Sequence, residues 1–453
     1  MANTKNQQLA IDLEGTNIIV SAGAGSGKTA VLTQRVIRKI NDGIPVDRLL
    51  VLTFTNEAAN EMKNRIRSAI IKNNLTEQLG LLDSSYITTF DSFALSVVKK
   101  YHYLLNIKKD ISITDKNIIS IYKNKIITDI FERKYGEASF NSMINAYCLK
   151  DDKIIKDFIL EISSKLDLLV DKKTYLSNYI EIYYSDNHIK ELLNEYTKII
   201  KNKIEELRDT YKELLSFIND STTNKLDKYL SPLFTGNKYD EFVLFNTMPT
   251  VKITLTEETG KDIKDEFKNK IDEIKKLLHE KSEIDLINAI TSTKEHAKVI
   301  IDIIKELDKF VDEYKDTYGI YEFNDIAHMA IDIVANYPSA RDELKDYFNE
   351  IMVDEYQDTS SIQEEFISHI SNNNVYMVGD IKQSIYRFRN ANPYIFQEKY
   401  DSYSHNLGGI KIDLLENFRS RKETLFNINE IFNLIMDNDI GNADYIKTHN
   451  MIY

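Results

Sequence analysis

The stretch SAGAGSGKTAVLTQR, Ser21 to Arg35, ends an apolar run, NIIVSA, in a glycine-containing turn and then opens a helical segment. A strand, a turn and a helix in that order leave few folds open, because the turn gathers backbone N–H groups and a helix N-terminus at one point. Gly23, Gly25 and Gly27 supply a flexible backbone that allows close approach, while Ala22 stands where glycine is often found. Such a point attracts anions. Ala22, Gly23, Ala24, Gly25, Ser26 and Gly27 are therefore candidates to cradle phosphates in a P-loop arrangement. In it Lys28 reaches the β and γ oxygens of a nucleotide and the Thr29 hydroxyl holds Mg²⁺. The alternative is a glycine-rich turn with no ligand.

A second string narrows that choice. IMVDEYQDTS places two adjacent carboxylates, Asp354 and Glu355, at the end of an apolar strand. Hydrolysis of a nucleoside triphosphate needs a carboxylate on the metal and another able to take a proton from water, which suits Asp354 and Glu355 respectively. Solvated acids at a strand end are the plainer reading, disfavoured by the cradle upstream. A small-molecule kinase would need an acceptor site and usually a lid, and neither is apparent. Hydrolysis coupled to motion is favoured.

The chain has two textures. From Asn17 to about Tyr103, NIIVSA, LLVLTFT and YITTF read as strands with a helical segment after each. NEIMVDE (349–355), NVYMVGD (374–380) and KIDLLEN (411–417) repeat the pattern. Together they predict an α/β fold with a parallel sheet and crossover helices. Between them, roughly Leu104 to Tyr318, lie Lys-, Glu-, Ile- and Leu-rich stretches with few glycines or prolines, which favour helices. Pro232, Gly236 and Pro249 interrupt them, predicting loops around a short strand or hairpin over 231–255. A gap of that length is no connecting loop, so it reads as a helical domain inserted into the α/β domain. A long coiled coil fits less well because the heptad register is not sustained.

Bulk properties set limits. A chain of 453 residues with 42% hydrophobic content suits two to four domains with real cores. No apolar stretch approaches the ~20 residues that span a bilayer, and the N-terminus lacks a secretory pattern, so the expected compartment is the cytoplasm, with no membrane partner. The single cysteine, Cys148, fits a reducing compartment and reads as a small core residue. A net charge of −13 argues against a general nucleic-acid-binding coat, so any such site is local. Tryptophan is absent, which leaves base stacking to tyrosine and phenylalanine.

Two segments suit a polynucleotide. TFTNEAA places Phe54, Thr55 and Asn56 where a strand gives way to a helix, with hydroxyl, amide and N–H groups for a phosphate and a ring for a base. YRFRN, Tyr386 to Asn390, interleaves two rings with two arginines; its plain alternative is a half-buried amphipathic segment.

The motif order NQQLAI, AGAGSGKT, LTFTNEAANEMKNRI, ITTFDSF, FNDI, VDEYQDTS, VGDIKQSIYRFRNANP, LLENFRS resembles superfamily 1 helicases of the UvrD/Rep group, most closely the RecB/AddA helicase–nuclease branch. The likeness covers the sheet-bearing parts, while the inserted region matches in position and helical character only. It implies a RecA-like P-loop NTPase domain with a parallel sheet, interrupted by a large inserted all-helical subdomain. The expected divisions are 1–103 and 319–409 for the first RecA-like domain, 104–318 for the insertion and 410–453 for the start of a second RecA-like domain. ATP and Mg²⁺ are the implied cofactors. The implied partners are single-stranded or duplex-end DNA and a second helicase–nuclease subunit.

Carried over by position, Gln7 resembles the adenine-reading glutamine, with Gln8 as the alternative. Gln383 resembles the γ-phosphate sensor, Phe418 the ring that stacks on adenine, and Arg419 the arginine that stabilises the transferring phosphate. Phe54, Thr89, Phe323, Tyr386, Phe388 and Arg389 become candidates for single-strand contacts, with Phe388 matching a ring that is often tryptophan in the family. The bland alternatives are a frayed N-terminus for Gln7 and Gln8, core for Phe418 and a surface ion pair for Arg419. Asp91 departs from the histidine common there. A carboxylate beside a phosphate track is unfavourable, so Asp91 is expected to cap the next helix instead. Family members continue through a second RecA-like domain and, in this branch, a nuclease domain, so the chain is expected to be the N-terminal part of a larger helicase. Two expectations follow: the ATPase portion of a DNA helicase or translocase in recombinational repair, or a nucleotide-gated binding module that does not hydrolyse ATP alone.

Overall fold

The computed structural model describes residues 3–148, 150–437, 440–441 and 444–453. Its strands are β1 (Ile18–Ala22), β2 (Leu49–Thr53), β3 (Tyr86–Thr89), β4 (Ser112–Ile113), β5 (Ile320–Tyr321), β6 (Glu350–Val353), β7 (Val375–Gly379) and β8 (Ile410–Leu414). Six form one sheet in the order β3-β2-β6-β7-β1-β8, and β4 pairs with β5. Every pairing is parallel. β1, β2, β6 and β7 are buried along their whole length, as a parallel sheet covered on both faces requires. The two-residue side-chain period divides them between two cores: Ile19, Leu50 and Leu52 pack with Phe93 and Phe366, while Ile18, Val20, Leu49 and Val51 pack with Leu32 and Met62.

α1 (Lys5–Asp12) and α2 (Lys28–Asn41) are tied to the sheet by one fully buried side chain. Arg35 meets Glu350 through Nε to Oε2 at 2.9 Å and Nη2 to Oε1 at 2.5 Å. Its Nη1 donates to the carbonyls of Ala10 and Ile11, at 2.9 and 3.1 Å, and its guanidinium lies 4.3 Å from the centre of the Tyr376 ring. The bidentate pair and the two carbonyl bonds satisfy a charge that could not otherwise be buried.

The chain divides into two compact units. One comprises Met1–Lys125, Glu161–Val170 and Lys309–Tyr453; the other comprises Ile126–Leu160 and Asp171–Asp308. The first contains the sheet. The second is helical among the described residues, with a core that includes Leu207, Leu226, Phe242 and Phe267.

Four expectations are corrected. Residues 104–125, 161–170 and 309–318 belong with the sheet unit rather than with the helical one. The strand expected to open a second RecA-like domain at 410–453 is β8, and it pairs with β1 from Ile18↔Ile410 to Ala22↔Leu414. Strand adjacency is a long-range property, and the linear texture of 410–453 does not carry it. Over 231–255 no strand forms: Pro232 lies inside the helix Asp220–Thr235, Tyr239–Val243 is helical, and only Leu255 makes an isolated bridge, to Ile218. Burial of Leu230, Leu233, Tyr239 and Phe242 in the second unit's core outweighs the helix penalty of proline, about 3 kcal/mol. Cys148 is half-buried at the end of the helix Ala138–Tyr147, outside the core.

Candidate active site

β1 ends at Ala22 and α2 begins at Lys28, so residues 23–27 form the turn. Gly25 and Gly27 have φ of +76° and +89°, the left-handed region that glycine enters without steric cost. Gly25 also needs its missing Cβ, which would stand 2.8 Å from Arg419 Cβ and 2.9 Å from Asn417 Nδ2. The 417–419 backbone lies along the turn: Phe418 N donates to Gly25 O at 2.9 Å, and Asn417 Nδ2 to Ala24 O at 2.6 Å. Asn417 Oδ1 accepts the N–H groups of Arg419 and Ser420, which shapes that loop. Phe418 and Arg419 are exposed at the rim, so the core alternative does not describe Phe418.

The two N-terminal glutamines part company. Gln7 is buried, closes the Thr4 capping box of α1 and donates to Ser26 O at 2.9 Å. Gln8 is exposed and bonds Asp12.

Opposite the turn, Asp354 N donates to Leu52 O, and Glu355 then takes φ +50°. Two consecutive strand residues would point to opposite faces; the left-handed step at Glu355 departs from that alternation. Lys28 Nζ meets Glu355 Oε2 at 2.9 Å. Burial and the neighbouring Glu355 charge push the Asp354 carboxyl up to about 6, with Lys28 acting the other way. The buried Asp354 carboxylate and the Thr29 hydroxyl at the start of α2 are hard oxygen donors of the kind that suits Mg²⁺, which completes its shell from phosphate and water. The buried Ser26 Oγ, without a hydrogen-bond partner among the described residues, adds an unmet polar atom to the cradle.

Gln383 Nε2 donates to Asp380 Oδ2 at 2.8 Å, and Lys382 Nζ to Asp380 Oδ1 at 2.7 Å. Asp380 N in turn donates to Gln357 Oε1 at 2.9 Å, and Gln357 Nε2 reaches Glu355 Oε2 at 2.9 Å. The sensor candidate is thus linked to the base candidate through Gln357, which the sequence reading did not single out. Asn417 was also missed, although it lies in the ENFRS string.

Of the proposed single-strand residues, Phe54, Thr89, Phe323, Phe388 and Arg389 line a cleft of about 600 Å³ together with Glu355, whereas Thr55, Asn56 and Tyr386 are not part of its wall. Phe54 and Tyr386 have ring centroids 4.5 Å apart, and Tyr386 and Phe388 5.7 Å. Arg389 Cζ sits 5.7, 5.6 and 5.9 Å from the Phe54, Tyr386 and Phe388 centroids. Phe388 is 76% and Phe323 48% exposed, so both present ring surface to a ligand. Phe323 is held from behind: the flanking Glu322 and Asp325 meet the buried Lys315 Nζ at 3.0 and 2.6 Å. Thr55 caps α3 (Asn56–Lys72) by accepting Ala58 N, which leaves Asn56 exposed at the first turn. Thr89, not Asp91, caps the helix Phe90–Tyr101, a correction to the expectation above. Thr89 sits at the position before the helix, where its Oγ1 accepts Ser92 N, whereas Asp91 is already inside the first turn. Asp91 lines the cleft, and burial pushes its carboxyl above the usual range.

Residues 3–404 match the UvrD/REP helicase N-terminal domain. The chain belongs to the UvrD/REP helicase family. Among its relatives, an ATP-dependent helicase/nuclease subunit of Clostridium novyi (strain NT) is 35% identical over 98% of this chain and 40% of its own length. The corresponding subunit of Clostridium kluyveri (strain NBRC 12016) is 34% identical with the same coverage. That of Thermoanaerobacter sp. (strain X514) is 33% identical over 99% of this chain and 41% of its own. The chain therefore spans about two fifths of the length of these UvrD/REP relatives, which are helicase–nuclease subunits, the branch to which the motif order points. No helix among the described residues is long and apolar enough to cross a membrane.

Proposed function

We propose that this chain carries the ATP-hydrolysing and DNA-gripping portion of a helicase or translocase of recombinational repair, acting in the cytoplasm beside a second helicase–nuclease subunit. The observation that carries the reading is the 2.9 Å contact between Lys28 and Glu355, which brings the P-loop cation and the strand-end carboxylate into one site. In this reading the sheet unit is a RecA-like domain and the helical unit its inserted subdomain.

The roles follow from position. ATP with Mg²⁺, when bound, supplies the phosphoryl group to be transferred and much of the charge neutralisation around it. The glycine turn holds phosphate oxygens through backbone N–H groups, and Thr29 and Asp354 hold the metal. Lys28 leaves Glu355 for the β and γ oxygens, which frees the Glu355 carboxylate to take a proton from water. Gln7, anchored on Ser26 O, is placed to read the base; Phe418 and Arg419, at the rim, stack on adenine and meet the transferring phosphate. Phe54, Phe323, Tyr386, Phe388 and Arg389 grip bases by stacking and phosphates by charge, while Thr55, Asn56 and Thr89 offer polar contacts at helix starts. Stacking tolerates any base, which suits movement along a strand.

A second reading rests on the exposure of Phe418 and Arg419: the chain binds nucleotide and DNA without turning ATP over. One experiment separates the two. ATP turnover is measured with and without single-stranded DNA, beside Lys28→Ala and Glu355→Gln. The first reading expects DNA-stimulated turnover, lost in both variants, with Glu355→Gln still binding ATP. Tight nucleotide binding with no turnover selects the second, and a Glu355→Gln variant that hydrolyses at the parent rate removes Glu355 as the base.

A further inference from the structure

Gln357 is 1% exposed, and both ends of its carboxamide are engaged. Its Oε1 accepts the Asp380 N–H, which fixes the orientation of the amide. Nε2 therefore faces two carboxylates, Glu355 Oε2 at 2.9 Å and Asp358 Oδ2 at 3.2 Å. The Gln357 carbonyl accepts Ser384 Oγ at 3.2 Å. A Cβ on Gly379 would stand 2.4 Å from Gln357 Oε1, so the end of β7 leaves open the space that the amide fills.

Each partner belongs to a different part of the site. Glu355 pairs with Lys28, and Asp380 holds Gln383 and Lys382. The Gln357 carbonyl holds Ser384, two residues before Tyr386, and the Tyr386 ring lies 4.5 Å from the Phe54 ring, tilted by 35°. A buried amide bonded to two charged groups resists distortion, so displacement of one partner is transmitted to the others rather than absorbed.

We propose that Gln357 is the positioning residue that couples the aromatic cluster to the phosphate side of the site. A base entering the cluster displaces the Tyr386–Arg389 turn, the Ser384 and Asp380 contacts follow, and the Gln357 amide re-aims the Glu355 carboxylate. By linkage, nucleotide on the phosphate side changes the affinity of the cluster for a single strand by the same factor. This rests on the nucleotide and polynucleotide reading above and adds the residue that joins its two halves.

The test reads binding rather than turnover. The dissociation constant of a labelled oligothymidylate is measured with and without a non-hydrolysable ATP analogue and Mg²⁺, and the ratio of the two is the coupling factor. The parent chain is expected to show a ratio of about 5 or more in either direction, the lower end of usual allosteric couplings. Gln357→Leu, which removes both the donor and the acceptor, is expected to bring the ratio to within about twofold of one. Gln357→Met, which keeps the length of the side chain but has no donor for Glu355 or Asp358, is expected to do the same. If Gln357→Leu melts below the assay temperature, Gln357→Met carries the test. A parent ratio of one, an oligothymidylate that does not bind, or variants that keep the parent ratio would overturn the proposal. A chain that never hydrolyses ATP but shows the coupled binding sinks the hydrolase reading alone; turnover with an unchanged ratio in the variants sinks this one alone.

Discussion

Gly25 carries two constraints at once, a φ of +76° and an approach to Arg419 Cβ that leaves no room for a methyl group. Gly25→Ala meets a left-handed penalty of about 1–2 kcal/mol and also displaces the 417–419 loop from the phosphate turn. The expected outcome is about a 5- to 30-fold loss of ATP affinity by calorimetry, the equivalent of that penalty, with the sheet intact by circular dichroism. Arg35 makes the opposite kind of demand. Arg35→Ala strands Glu350 in the core and should cost about 3–5 kcal/mol in urea unfolding, whereas Arg35→Met with Glu350→Leu should recover most of it. At this scale the sequence made the meeting of the P-loop lysine, Lys28, with the strand-end carboxylate Glu355 readable, because each sits in a short string whose residue types suit one task. It did not reveal Gln357 or Asn417, since an amide gives no linear sign that its two ends will meet groups from different segments.

Among the elements, the segment 444–453 is docked through His449, which is 4% exposed, 3.1 Å from Lys382 Nζ and stacked near the Tyr400 ring. Burial first, and then the Lys382 charge, hold its imidazole down to about 4, against an opposing pull from Asp380 and Asp444. The folded value lies below the unfolded one, so the unfolded chain binds more protons between the two. The stabilisation is complete above about pH 6.5 and is lost as the pH falls towards 4, by up to about 3 kcal/mol. His449→Phe, which keeps a ring, should flatten that part of the melting-temperature profile. Lys315 is a second docking point. Burial opposes its charge, but Asp325 and Glu322 hold its ammonium above the usual range. Lys315→Met should loosen the first turn of the helix Phe323–Asn336 and weaken single-strand binding about as much as Phe323→Ala, by roughly 1–3 kcal/mol if one stacked base is lost. The six strands of the larger sheet were legible, because β-branched runs before turns are a local signal, whereas β4 and β5, two residues each, were not. The place of β8 beside β1 and the helical run through Pro232 were not, because each is decided by what the segment packs against.

At the scale of the molecule, the core of the helical unit is separate from the two cores that flank the sheet. Leu207→Ala should therefore cost about 2–5 kcal/mol, read as faster amide exchange within 126–160 and 171–308, and leave ATP affinity unaltered. The sheet unit contains its own tension. Glu355 holds a left-handed backbone that a side chain adopts at a cost of about 1 kcal/mol, and it does so at the residue assigned the proton. Glu355→Gly and Glu355→Ala lose the carboxylate alike, but only glycine relieves the backbone, so Glu355→Gly should be the more stable by about that amount. With Glu355 as the proposed base, durability and turnover are set against each other at a single position. A lineage selected for heat resistance alone would drift there towards glycine or asparagine and end up robust and inert.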